Sequence, residues 1–207
     1  MLSGDGACYS KCLVAAAPAA TADRILDVAE RLIQTRGYNG FSYADISLKL
    51  RIRNASVHYH FPSKNDLGKR LVVRYRGNFM AALEALEAET PDARRRLRAY
   101  VGMWTKVLRD RDRMCLCGMM AADIATLPLA VRAEIRRFFE ANEGWLVRVL
   151  TAGRRARTLK LAGSPEVEAR LLTMGLEGAM LIARSYGEPR RFEEIAGRLL
   201  SGLGIPG

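Results

Sequence analysis

With 207 residues, about half of them apolar, the chain can bury a core as one large helical domain or as a small domain joined to a larger one. A formal net charge of +11 favours anionic partners, phosphate above all, because each Lys or Arg set beside a phosphate releases counterions; anionic membranes and acidic proteins remain compatible with charge alone. Four cysteines, Cys8, Cys12, Cys115 and Cys117, make no disulfide framework, and no run approaches 18 consecutive apolar residues, which argues against a spanning helix.

Residues 1–20 read as a disordered tail. Cys12 to Ala20 has the apolar character of a short export signal, but Asp5 and the single upstream Lys11 argue against that reading. From Thr21 the pattern becomes helical. Ile25, Ala29, Leu32 and Ile33 fall on one face of a helix that ends at Gly37. Ser42 followed by Asp45 predicts a capping box and a two-turn helix over about 43–50. After Arg51-Ile52-Arg53, Asn54 is placed as the cap of a second brief helix reaching about His60, before Pro62. Ser63 and Asp66 open a long helix to about Ala88. Thr90-Pro91, Leu127-Pro128 and Ser164-Pro165 punctuate the remainder into helices at about 92–109, 114–125, 129–153, 165–186 and 190–203. The expected fold is all-α, about nine helices, with a three-helix head and a larger helical body.

Residues 42–61 have helix-turn-helix spacing: a short capped helix, a tight connection and a second short helix rich in small, polar and basic residues. In such a unit the second helix enters the major groove while flanking groups hold phosphates. Arg53, Asn54, Ser56, His58 and Tyr59 supply hydrogen-bonding groups there, whereas Ile46, Leu50, Ile52, Val57 and Phe61 are expected to face inward. From Lys49 to Arg76 the bases are Lys49, Arg51, Arg53, Lys64, Lys69, Arg70, Arg74 and Arg76, and the one acid is Asp66, a balance suited to a phosphate-facing surface.

The segment from Ile25 to Leu67 resembles the DNA-binding domain of the tetracycline-repressor (TetR) family. The resemblance rests on the run from Arg36 to Ser42, on Ile46, and on His60, Phe61 and Lys64. It implies that Ser42 and Tyr43 meet the DNA backbone, that the third helix reads bases, and that Tyr59 and Lys64 touch phosphates. His58 stands where the family usually has tyrosine, and Arg51 where a glycine commonly makes the turn. The resemblance also implies that the last two helices pair across a two-fold axis as a four-helix bundle. Val167, Leu171 and Met174, then Phe192, Ile195, Ala196, Leu199 and Leu203, supply the apolar faces. A two-fold dimer in turn requires a roughly palindromic operator.

The segment Arg113 to Pro128 brings thiols and methionines near Trp104 and ahead of Phe138, Phe139 and Trp145. Trp104, Cys115, Met119, Phe139, Trp145 and Met174 are therefore candidates to line an effector pocket, with plain core as the alternative. The same run resembles an electrophile-responsive branch of the family, which implies Cys115 as the sensing thiol, although Met114 replaces the usual glycine before it. Sensing would require an accessible thiolate, stabilised by Arg109, Arg111, Arg113 or a helix start; a buried inert thiol is the other reading. His58 and His60, two residues apart on one helix, diverge, so no metal is expected. No nucleophile elbow or catalytic cluster is present, so neither an enzyme nor a cofactor is expected.

The reading is a cytoplasmic, homodimeric, ligand-responsive repressor, with a head at 21–70 and an effector-binding, dimerising body at 71–207. Its partners would be a double-stranded DNA operator and an unknown small-molecule effector, with no membrane. The rival is a basic helical interaction module that binds anionic surfaces without sequence specificity.

Overall fold

A computed structural model describes residues 20–110 and 113–206. Among them nine α-helices and one 3-10 turn follow in order, without strands. They are α1 (Thr21–Arg36), α2 (Tyr43–Leu50), α3 (Asn54–His60), α4 (Lys64–Glu89), α5 (Ala93–Arg109), α6 (Leu116–Ala122), the 3-10 turn Ile124–Thr126, α7 (Leu129–Arg155), α8 (Pro165–Tyr186) and α9 (Pro189–Gly202). The expected tail at 1–20 falls almost wholly outside the described residues. No helix among those described is long and apolar enough to cross a membrane.

The helix boundaries follow from local chemistry. α1 stops where Gly37 takes φ 81°, its N–H donating to the Ile33 carbonyl. At α2 the Ser42 N–H donates to the Asp45 carboxylate at 2.7 Å and the Ser42 hydroxyl at 2.8 Å. Ahead of α4, Ser63 Oγ accepts from the Asp66 N–H at 3.2 Å, the cap expected from sequence. Two expectations need correction. Asn54 is the first helical residue of α3 and Arg53 occupies the cap position, with no side-chain bond there. The helix expected over 114–125 is only α6, because the chain tightens into 3-10 geometry at Asp123, whose carboxylate is drawn out to the Tyr38 N–H at 2.9 Å.

In the head, Ile25, Ala29 and Ile33 of α1 bury against Ile46 of α2, Val57 of α3 and Phe61. Each is 2% exposed or less, the state in which an aliphatic side chain contributes about 1.5–3 kcal/mol. α4 runs unbroken from head into body and leans on α7, while α8 packs along both α7 and α9. The inner face of α7 carries Phe138, Asn142, Trp145 and Val149, spaced so that all four are buried. Within that face Trp145 stacks on Tyr100 of α5 at 5.6 Å, and the Asn142 amide donates to the Tyr100 hydroxyl at 3.1 Å.

Candidate DNA-binding head and effector cavities

The head turns one face of α3 to solvent. Arg53, Asn54, His58 and Tyr59 are exposed and Ser56 is half-exposed, while Val57 is fully buried and anchors the helix from behind. Tyr59 is 84% exposed, far above what a structural tyrosine needs, and its ring meets the His60 ring edge-on at 5.2 Å. Ser42 is exposed at the start of α2. Tyr43 is not available as expected: its ring is buried, its hydroxyl donates to the Phe61 carbonyl at 2.9 Å, and burial pushes its pKa up to about 12. It ties α2 to the end of α3.

Lys64 also departs from expectation. Its ammonium donates to the Phe41 carbonyl at 2.5 Å and lies over the Phe41 and Tyr38 rings, 4.2 and 4.8 Å from their centroids. Burial lowers its pKa, with Asp123 and Asp45 opposing. The side chain braces the loop before α2. Two more of the basic residues counted from sequence are engaged within the protein. Arg74 pairs with Asp27 at 2.8 Å and Glu30 at 3.3 Å, and Arg76 pairs with the buried Glu134 at 2.8 Å. Lys49, Arg51, Arg53, Lys69 and Arg70 keep exposed side chains. Arg51 takes the left-handed conformation, φ 55° and ψ 43°, that glycine would adopt without strain.

The candidate pocket residues divide between two cavities. An inner cavity of about 210 Å³ lies among α1, α4, α5, α7 and α8, lined by Tyr75, Phe79, Trp104, Cys115, Phe138 and Met180, with Glu30 and Asn78 as polar members. An outer cavity of about 520 Å³ lies among α6, α7 and α8 and holds Met119, Phe139 and Met174 with Glu143 and Glu177. Trp145 lines neither. It lies on the inner stripe of α7, whereas Phe139 and Glu143 lie on the adjacent stripe facing outward. The sequence reading placed all six candidates in one pocket because helical periodicity does not say which neighbour each stripe meets.

Cys115 is buried at the α6 cap, and burial, with Glu177 and Cys117 adding to it, pushes its thiol well above the usual range. The expected accessible, stabilised thiolate is therefore corrected: desolvation outweighs any help from nearby arginines. Tyr75 donates weakly to its sulfur at 3.9 Å. Sequence reasoning missed Glu177, whose carboxyl burial raises to about 7, the neighbouring Cys115 thiol opposing the shift. Its signal was present, since Glu177 is the one charged residue from Leu171 to Ala183.

Head and body are joined at α6. The Met114 N–H donates to the Gln34 carbonyl at 3.1 Å, Asp123 accepts from the Tyr38 N–H, and the Asn39 amide donates to Thr126 Oγ1 at 2.9 Å. From α8, Arg184 donates to the Thr35 carbonyl at 2.6 Å. The last turn of α1 and the loop after it are thus held by residues flanking α6 and by α8.

This arrangement agrees with comparisons to known proteins. Residues 25–71 match the family model described as bacterial regulatory proteins, tetR family, and residues 93–198 match the tetracyclin repressor-like C-terminal domain. A TetR-family transcriptional regulator from Agrobacterium tumefaciens is 40% identical, with a TM-score of 0.85 over 88% of this chain and 96% of that one. A TetR regulator from Legionella pneumophila is 32% identical, with a TM-score of 0.83 over 90% of this chain and 98% of that one. The biofilm operon negative regulator IcaR of Staphylococcus epidermidis is 36% identical over 50 residues, 24% of this chain; the match spans about a quarter, 27%, of that relative's length. Two domain matches in sequence order, a shared fold over nearly the whole chain and a helix-turn-helix head assign the chain to the tetR family of bacterial regulatory proteins.

Proposed function

We propose that the chain is a homodimeric repressor whose heads, residues 21–70, read the two halves of a palindromic operator, and whose body, residues 71–207, binds a small apolar effector that releases the DNA. The observation that carries this reading is the outer face of α3: Arg53, Asn54, Ser56, His58 and Tyr59 present donors and acceptors on a helix fixed from behind by Val57. Ser42 and the Tyr43 N–H, at the start of α2, face the phosphates, with Lys69 and Arg70 adding charge. Lys64 acts by bracing the Tyr38–Phe41 loop. The similarity of the head to IcaR, a negative regulator, supports repression over activation.

Release works by population shift. A ligand filling the inner cavity presses on Cys115 at the cap of α6, and α6 is bonded to α1 and the Tyr38 loop; the displaced head is then wrongly spaced for successive major grooves. The test begins with selection of bound fragments from genomic DNA, followed by titration of the recovered site. Tyr59→Ala and Arg53→Ala are expected to cost about 1–3 kcal/mol each, with base preference altered where bases are read. Unchanged affinity in both variants overturns the placement of α3. Equal affinity for scrambled DNA would favour a basic module without sequence specificity.

A further inference from the structure

The carboxyl group of Glu177 is enclosed in the wall of the outer cavity, against α6. One oxygen, Oε2, lies directly on Gly118, in the space that a methyl group on that residue would fill. The other, Oε1, is buried and has no hydrogen-bond partner among the described residues. Glutamate at this place is poorly satisfied in either protonation state: the anion has beside it only the weakly donating Cys115 thiol and no countercharge, and the neutral acid leaves a donor or acceptor unmatched. Around it the cavity is apolar and adaptable, with Met114, Met119, Phe139 and Met174. A second carboxylate, Glu143 from α7, lines the same space, and its only ion pair among the described residues is a long one to Arg170 at 3.9 Å.

We propose that the outer cavity is a binding site for a small organic cation with apolar substituents, held by Glu177 on the Gly118 cradle and assisted by Glu143. A cation supplies the missing countercharge to Oε1, and Phe139 and the methionines supply an aromatic face and soft apolar contacts that ammonium groups accept. The groups that face Glu177 leave this assignment intact: the Cys115 and Cys117 thiols come from α6, the Tyr100 phenol from α5 and Glu143 from α7, all neutral or acidic. Of the two arginines on α8, Arg184 is engaged with the Thr35 carbonyl and the Met119 sulfur, and Arg170 with Glu143. Because Glu177 holds its proton to about pH 7, cation binding near neutrality drives that proton off, and affinity rises with pH through this range. The site is separate from the inner cavity and does not rest on the DNA-binding reading; Met174 and Leu181 of its lining also belong to the exposed stripe of α8, so in the proposed dimer it borders the interface.

The test uses the full chain in isothermal titration calorimetry with benzyltriethylammonium, benzyl alcohol and benzoate as probes. The wild type is expected to bind the cation at least tenfold more tightly than either of the others, releasing a proton at pH 6.5 that comparison of two buffers detects. Glu177→Gln is expected to lose at least tenfold in cation affinity and to abolish proton release. Gly118→Ala, which keeps the charge but displaces the carboxyl group, is expected to weaken binding too; circular dichroism and melting confirm that each variant is folded. Equal cation binding by wild type and Glu177→Gln overturns the proposal, as does preference for benzoate or benzyl alcohol, or no cation binding at all. Loss of cation binding in Val107→Trp, at the inner cavity, with retention in Glu177→Gln, also overturns it.

Discussion

Arg51 is the residue at which the backbone asks for one thing and the sequence supplies another. A side chain in the left-handed region costs on the order of 1 kcal/mol relative to glycine. Arg51→Gly is therefore expected to raise the urea midpoint by the equivalent of up to about 1 kcal/mol without changing the slope; a lower midpoint would mean that the guanidinium contributes more than the strain costs. Glu177 gives a second residue-scale prediction. Its folded pKa of about 7 lies above the ordinary carboxylate value of 4.5, so the folded state binds more protons between these limits. Stability should then fall as pH rises from about 4.5 to 7 and level off above, by roughly 3 kcal/mol if the group acts alone. Glu177→Gln is expected to flatten that part of the profile in chemical denaturation, and an equally steep fall in the variant would assign the effect elsewhere. The strain at Arg51 was legible because the position is the tight connection between two short helices, where a glycine commonly makes the turn. The state of Glu177 was not, since its burial depends on α6 lying across α8.

At the scale of elements, α6 is a short helix held at both ends to the head. Asp123 carries much of this, because a carboxylate accepting a backbone N–H is worth about 1.5–3 kcal/mol when water is kept away. Asp123→Ala is expected to lower stability by about 1–3 kcal/mol and to speed hydrogen exchange at the Tyr38 amide more than at amides within α1. Unchanged exchange at Tyr38 would show that the loop is held by Lys64 and Asn39 alone. The caps at Ser42 and Ser63, the stop at Gly37 and the proline that opens α8 were all readable, since they are contests between neighbouring residues. The early end of α6 was not readable, because the competitor for Asp123 lies 85 residues away.

For the whole molecule, the telling surface is the outer stripe of α8. Val167, Leu171, Met174, Leu181, Ile182 and Tyr186 are each more than half exposed, and Ile195 of α9 lies beside them at 49%. So much contiguous apolar surface is uncommon on a monomer. The sequence reading assigned Phe192, Ala196 and Leu203 to the same interface, but these are buried within the chain, and Leu199 packs on Gly175 of α8. Leu171→Asp is therefore the clean probe of association: it touches neither the core nor a cavity. In the proposed dimer it is expected to shift sedimentation from dimer to monomer with little change in helicity, and to weaken operator binding by removing the second head. An unchanged dimer would place the interface elsewhere.

The amino-acid sequence by itself determined the all-α class, nearly every helix boundary and the helix-turn-helix head, because caps, glycines, prolines and apolar periodicity act over a few residues. It also marked the residues of α3 that face out, since Val57 and Phe61 define the opposite side. Tertiary structure alone decided that Tyr43 and Lys64 turn inward, that Arg74 and Arg76 are neutralised by acids on α1 and α7, and that the candidate pocket residues part into two cavities and a core tryptophan. It alone decided, too, that Cys115 is a buried thiol beside a carboxyl group. Each of these depends on which distant helix covers a given stripe, and on the cost of leaving a buried charge without a partner.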